Sequence, residues 1–314
     1  ASATDAAARG IVPARKPVPN ASRATVAAGA SISVDAEERG RGGKAIVWSD
    51  GDTVFHGSVS AKGGAGDGDG GFAEISGKQT LAFDGRAALG AVKGRPGTLL
   101  LDPDTATITH DGANGTISLA AIEQSDGHYE VLADNGITVA DLSASDGAIN
   151  LKPNVNLTLR SGNGDIKFAS PTNSIVASGT GAIRLETGYC EPPATCSSNS
   201  GTLNGIGHLR TDSGGITLLA ADGVTLAGTL TTAGGPIFID ADGDQGGGGT
   251  FSTNVSITTG GGNLTIKSGD GGIDLNGDVS LGTGQLQFST TSGNGTFRIG
   301  GQLSLSGNVT FTQP

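Results

Sequence analysis

The sequence predicts an all-β chain wound as a right-handed parallel β-helix, a solenoid of irregular coils of roughly 17–28 residues with one inserted loop. Three observations carry that reading. The first is an internal repeat: Gly42-Gly43-Lys44-Ala45-Ile46-Val47 is answered by Gly70-Gly71-Phe72-Ala73-Glu74-Ile75, and Phe55 and Gly57 return as Phe83 and Gly85 at the same offset. A period of about 20 to 50 residues points to stacked units, each one coil of a solenoid. The second is alternation: short runs of β-branched or aromatic residues interleave with small or polar ones, the two-residue period of strands. The third is punctuation, because the 56 Gly and 11 Pro fall mostly between those runs, where turns need them.

Composition narrows the reading further. Glycine without a G-X-Y period disfavours collagen, and the apolar alternation disfavours plain disorder. Aromatics make up 4% of the chain, fewer than a wide globular core would recruit, whereas Val, Ile, Leu, Thr and Ala fill a thin interior between stacked strands. The formal net charge of −11 argues against a nucleic-acid partner, which demands a basic stripe. Basic residues gather at the start (Arg9, Arg15, Lys16 and Arg23 against Asp5), while 201–314 carries Arg210, Lys267 and Arg298 against eight Asp. No apolar run approaches the about 18 residues that would span a bilayer. The chain contains no Met, which suggests a processed piece of a longer product.

Taken in order, residues 1–24 read as an extended arm, with Pro13, Pro17 and Pro19 interrupting any period. A single solenoid is expected over 25–314. Its first coils occupy 25–101, where Ser31-Ile32-Ser33-Val34 opens the alternation, and Pro103 ends the run Gly97-Thr98-Leu99-Leu100-Leu101-Asp102-Pro103. An irregular coil follows over 102–137; within it Ser118–Gln124 is the one stretch with a turn of helical pattern, headed by a serine able to cap it. Repeating coils fill 138–314, marked by the phrase apolar-x-apolar. It occurs at Ile149/Leu151, Ile166/Phe168 and Ile183/Leu185 at one equal interval, and next at Ile216 after a gap almost twice as long. From there it returns at Ile237, Leu264, Leu286 and Val309, at similar but unequal spacings. The long gap predicts a loop insertion over 186–213, and Cys190 and Cys196 inside it are candidates for a disulfide or for two free thiols.

With VAAGASISVDA (26–36), GGKAIVWSDGDTVFHGSVSAKGG (42–64), GDGGFAEISGK (68–78), GTLLLDPDTATI (97–108) and ADNGITV (133–139) in view, the chain resembles the filamentous-haemagglutinin-like exoproteins of Gram-negative bacteria. The resemblance covers about residues 25–170. It implies a right-handed β-helical shaft, export through an outer-membrane transporter, an extracellular or cell-surface location, and a part in adhesion, biofilm or a surface layer. The chain departs from the family in one respect: its N-terminal secretion domain, with Asn-Pro-Asn motifs, is not in this sequence.

The residues themselves offer little chemistry. Asp240, Asp242 and Asp244, at i, i+2 and i+4, would share one face if they lay on a strand and could then supply the carboxylates of a polysaccharide-active site, but the favoured reading of IDADGDQGGGG is a solvated, Gly-rich turn. The same segment begins like a calcium loop, although Phe251 stands where a bidentate Glu is required, and 62–71 faintly resembles a calcium-binding nonapeptide. Weak Ca2+ binding is therefore the one cofactor the sequence suggests. His56, His110, His128 and His208 are scattered, without metal-ligand spacing. Trp48 is expected in the aromatic core rather than as a sugar platform. Asn-x-Ser/Thr at Asn20, Asn114, Asn156, Asn254, Asn263, Asn294 and Asn308 reads as corner asparagines followed by strand starts.

The expected function is therefore non-enzymatic: an extracellular structural or adhesive solenoid that binds copies of itself, a cell surface or a matrix polysaccharide. Assembly is expected through the arm (Arg9, Val12, Pro13, Arg15, Lys16) and through the last coil (Phe311), with a carbohydrate-active or carbohydrate-binding β-helix as the alternative.

Overall fold

A computed structural model describes residues 19–112, 115–188, 200–291 and 293–313. They form two compact units, with the boundary between Ala133 and Asp134. Each unit is a stack of coils whose strands pair in parallel with the corresponding strands of the coils before and after, which is a parallel β-helix.

In the first unit three coils each contribute to three sheets, and in the fourth a short helix follows the back-sheet strand in place of a short-sheet strand. The front sheet holds Lys44–Ser49, Phe72–Gly77, Thr98–Leu101 and His128–Ala133. The back sheet runs Arg23–Val26, Asp52–Phe55 and Thr80–Phe83, then Ile117–Ser118 and Ala106–Thr109. A short sheet holds Ser31–Ser33, Ser58–Ser60 and Arg86–Ala88. The repeat read from the sequence is the register itself: Lys44 pairs with Phe72, Asp52 with Thr80 and Ser58 with Arg86, each at the offset that separates Gly42 from Gly70. Phe55 and Phe83 consequently stack inside the coil, ring centroids 5.4 Å apart at an interplanar angle of 19°. Gly85 recurs because a Cβ there would run into the ring of Phe55.

The short helix is present as α1 (Leu119–Gln124), and it buries Leu119, Ala121 and Ile122. Its expected cap is not: Ser118 makes no side-chain cap bond and is itself buried as the end of strand Ile117–Ser118. Packing of the apolar stripe, rather than capping, therefore holds this single turn and a half. The first strand begins at Arg23, slightly ahead of the predicted start of the coils.

The described residues of the second unit form seven coils, each contributing to three sheets. Its front sheet is Leu157–Ser161, Ile183–Thr187, Ile216–Leu219, Ile237–Asp240, Leu264–Ser268, Leu286–Thr290 and Val309–Thr312. The later spacings read from the sequence match its pairings: Ile216 with Ile237, Ile237 with Leu264, Leu264 with Leu286, and Leu286 with Val309. The equal interval from Ile149 to Ile166 to Ile183 has another meaning. Ile149 lies on the short sheet, Ile166 on the back sheet and Ile183 on the front sheet, with the strands Leu157–Ser161 and Ser174–Ala177 between them, so equal phrases there mark every second side rather than consecutive coils. A full turn is longer, because it takes the chain from Leu157 to its partner Ile183 and from Ile166 to its partner Leu203. Cys190 and Cys196 lie outside the described residues, but much of the expected insertion is regular, since Leu203–Ile206 and His208–Thr211 are back-sheet and short-sheet strands.

Inward positions are almost wholly apolar and closed to solvent, as in Leu157, Leu159, Ile183, Leu185, Ile216, Leu218, Ile237 and Ile239. The corners use a device that the sequence reading missed. Thr211, Thr232 and Thr259 turn inward and each donates a 2.5 Å hydrogen bond to the carbonyl of a glycine three positions on, Gly214, Gly235 and Gly262. The Thr-x-x-Gly string recurring at the coil spacing was the available signal.

Candidate interaction surfaces

The acidic turn does not present three carboxylates on one face. The strand ends at Asp240, and the chain then bends. Asp240 faces outward, 4.0 Å from Lys267 Nζ. Asp242 is buried: its Oδ1 accepts a hydrogen bond from the Gly247 amide (3.0 Å), and its Oδ2 accepts one from the Thr291 hydroxyl. Asp244 is exposed and accepts from the Gly246 amide at 2.9 Å. Asp242 thus braces a long glycine-rich turn, the role buried carboxylates take when their lone pairs meet donors. Among the described residues no group of three or more His, Cys, Asp or Glu is placed to hold a metal ion.

Other acidic and amide side chains act as brackets between coils. Asp126 accepts from the amides of Leu89 (2.5 Å) and Gly90 (3.0 Å), and Asp222 from that of Gly201 (2.7 Å). Asp278 accepts from Gln302 N (2.9 Å). Asn156 and Asn263 accept from Ala182 N and Gln285 N, both at 2.9 Å, in keeping with the corner reading of Asn-x-Thr. Slight desolvation would raise the pKa of the exposed Asp35, but the Lys62 amide (2.7 Å) and Ser60 hydroxyl (2.6 Å) outweigh this and hold its carboxyl below the usual range. The amide of Ser143 (2.9 Å) holds Asp141 down in the same way. Much of the acidic character of the sequence is therefore structural.

The histidines do not converge. His56 and His110 are exposed, and His208 Nδ1 accepts from the Thr229 amide at 3.1 Å, which leaves its proton on Nε2. His128 lies half-buried on the front sheet, and burial pulls its pKa down. Trp48 is not part of the Phe55/Phe83 stack; it stands half-buried on the outward side of its strand, because Ala45 and Ser49 take the inward positions. Alternation decides this, and an aromatic count could not.

On the second unit, the outward side of the front sheet is a polar ladder. Glu186 Oε2 accepts from Arg160 Nε (2.8 Å) and Arg184 Nε (2.9 Å), and Lys267 Nζ sits 5.2 Å from the Phe238 ring centroid. The last coil is different again. Leu303, Val309 and Phe311 are 36%, 41% and 51% exposed, although their partners one coil earlier, Val279, Leu286 and Phe288, are buried at 1%, 0% and 0%. They are core positions with one open side. Phe311 packs against Phe288 and Phe297 at centroid distances of 5.1 and 5.4 Å.

No helix among the described residues is long and apolar enough to cross a membrane, a statement that does not extend to β-barrels. No protein-family model matches the chain, and no curated protein matches it either.

Proposed function

We propose that this chain is a non-enzymatic, extracellular structural or adhesive β-solenoid, similar in kind to filamentous-haemagglutinin-like exoproteins, and that it assembles by stacking coils. The observation that carries the reading is the stacking itself, in which three parallel sheets run through the coils and a further coil laid on Leu303, Val309 and Phe311 would extend all three. An open strand edge is a template for another strand. A coil presented by a second copy would extend all three sheets at once and bury these side chains. The polar front-sheet ladder fits the same role, since it gives the body a wettable side that resists pairing face to face. Adhesion to a cell surface or matrix polysaccharide, and export through an outer-membrane transporter, belong to this reading through the resemblance alone.

Electron microscopy and sedimentation of the native chain test it. Concentration-dependent filaments or oligomers are expected, and the Phe311→Lys variant should remain in small species with unchanged circular dichroism. Native material that stays monomeric at all concentrations would overturn the assembly reading. Release of oligosaccharide from a polysaccharide by the native chain would favour the carbohydrate-active alternative instead.

A further inference from the structure

The front sheet of the first unit carries a second surface, distinct from the open coil. Its inward residues are Ala45, Ala73, Leu99 and Tyr129 in one row and Val47, Ile75, Leu101 and Val131 in the next. By alternation Ile46, Glu74, Leu100 and Glu130 form an outward row between them, and Trp48, Ser76 and Leu132 also point outward. Outward residues of a solenoid sheet are ordinarily half-exposed, as Arg160, Arg184 and Thr217 are in the second unit. Here Glu74 and Ser76 are 0% exposed, Leu100 5% and Leu132 8%. Among the described residues the main packing partners of these strands are their sheet neighbours and the back-sheet strands, and none lies across this side of the sheet. The side is apolar at Ile46, Trp48, Leu100 and Leu132, and it holds two carboxylates, Glu74 and Glu130.

We infer that this outward face is the docking surface of the chain's own N-terminal segment, residues 1–18. Three features of the sequence and structure favour that occupant. The segment carries Arg9, Arg15 and Lys16 against Asp5, complementary to Glu74 and Glu130, and Ile11-Val12 beside them supplies apolar side chains. The described chain starts beside the face: Ala21 O accepts from the Asp50 amide (2.8 Å) and Asn20 Nδ2 donates to Asp50 Oδ1 (3.3 Å), just past Trp48. Length suffices as well, since a segment of this size reaches about 60 Å when extended and four strands span only about 15 Å.

Trp48 is the only tryptophan and lies on the face, so its fluorescence reads the docking directly. Deleting residues 1–18 should shift Trp48 emission to the red and raise its quenching by acrylamide several-fold, and adding a synthetic peptide of residues 1–18 should reverse both. The full-length triple variant Arg9→Glu, Arg15→Glu, Lys16→Glu leaves every residue of the described coils unchanged, and it should reproduce the red shift with native circular dichroism. Unchanged emission and quenching in both the deletion and the triple variant would overturn the inference. A Trp48 signal in the native chain that appears only as concentration rises would also overturn it, because the arm would then be docking on a second copy.

Discussion

The two units share an interior and differ in their outer faces. In both, alternate residues of every front-sheet strand are mostly apolar and closed to water, because the thin core of a β-helix leaves inward positions no alternative. Outside, the second unit presents Arg160, Arg184, Glu186, Asp240 and Lys267 as a half-exposed ladder, whereas the first presents Glu74, Ser76, Leu100 and Leu132 with almost no exposure. The difference teaches that the inner face specifies the fold and the outer face is free to specify what touches it. A buried outer row is therefore the more informative feature of the two.

The strongest way to break that comparison is a matched pair of outward leucines. Leu100→Ser in the first unit should cost about 2–4 kcal/mol, as for a buried core leucine, while Leu219→Ser on the half-exposed face of the second should cost less than about 1 kcal/mol. Urea unfolding of the two variants measures both; equal costs would mean the two outer faces are energetically alike.

A smaller effect concerns the interior behind the same face. The Tyr129 hydroxyl is buried with no hydrogen-bond partner among the described residues, and burial pushes its pKa well up. Tyr129→Phe keeps the ring and removes an uncompensated polar group, so it should raise stability by about 1 kcal/mol. A loss of stability on the same unfolding curve would show that the hydroxyl has a partner that matters.

The smallest expected effect is a pH dependence confined to the first unit's face. Burial lowers the pKa of His128 in the folded chain, so the folded state resists its protonation. The contribution is fully present above the unfolded value of about 6.5 and is lost as pH falls from there through the lower folded value. His128→Gln should flatten stability across that window, measured by urea midpoints from about pH 8 to about pH 5; an unchanged slope would assign the dependence elsewhere.

The fold was legible in the sequence to the extent that repetition wrote it down. The offset from Gly42 to Gly70 is the strand register, and the Phe55/Phe83 echo is a ring stack, because parallel coils place equivalent residues directly above one another. The equal interval from Ile149 to Ile166 to Ile183 misled for a related reason: every side of a coil obeys the same alternation, so a pattern alone does not say which sheet it belongs to. The acidic turn was legible as a turn and not as a geometry. Alternation over Asp240, Asp242 and Asp244 holds only while the strand continues, and the bend after Asp240 sends Asp242 inward to Gly247 and Thr291.

By itself the sequence determined the parallel β-helix, the inward apolar rows and the place of most corners, since these follow from local periodicity and from glycine's tolerance of tight approach. Only the tertiary structure decided which outward residues are buried, and that Leu303, Val309 and Phe311 are core positions with one open side among the described residues. Exposure depends on what lies above and below a residue in the stack, and that is a property of neighbours a whole coil away along the chain rather than of the residue's own strand.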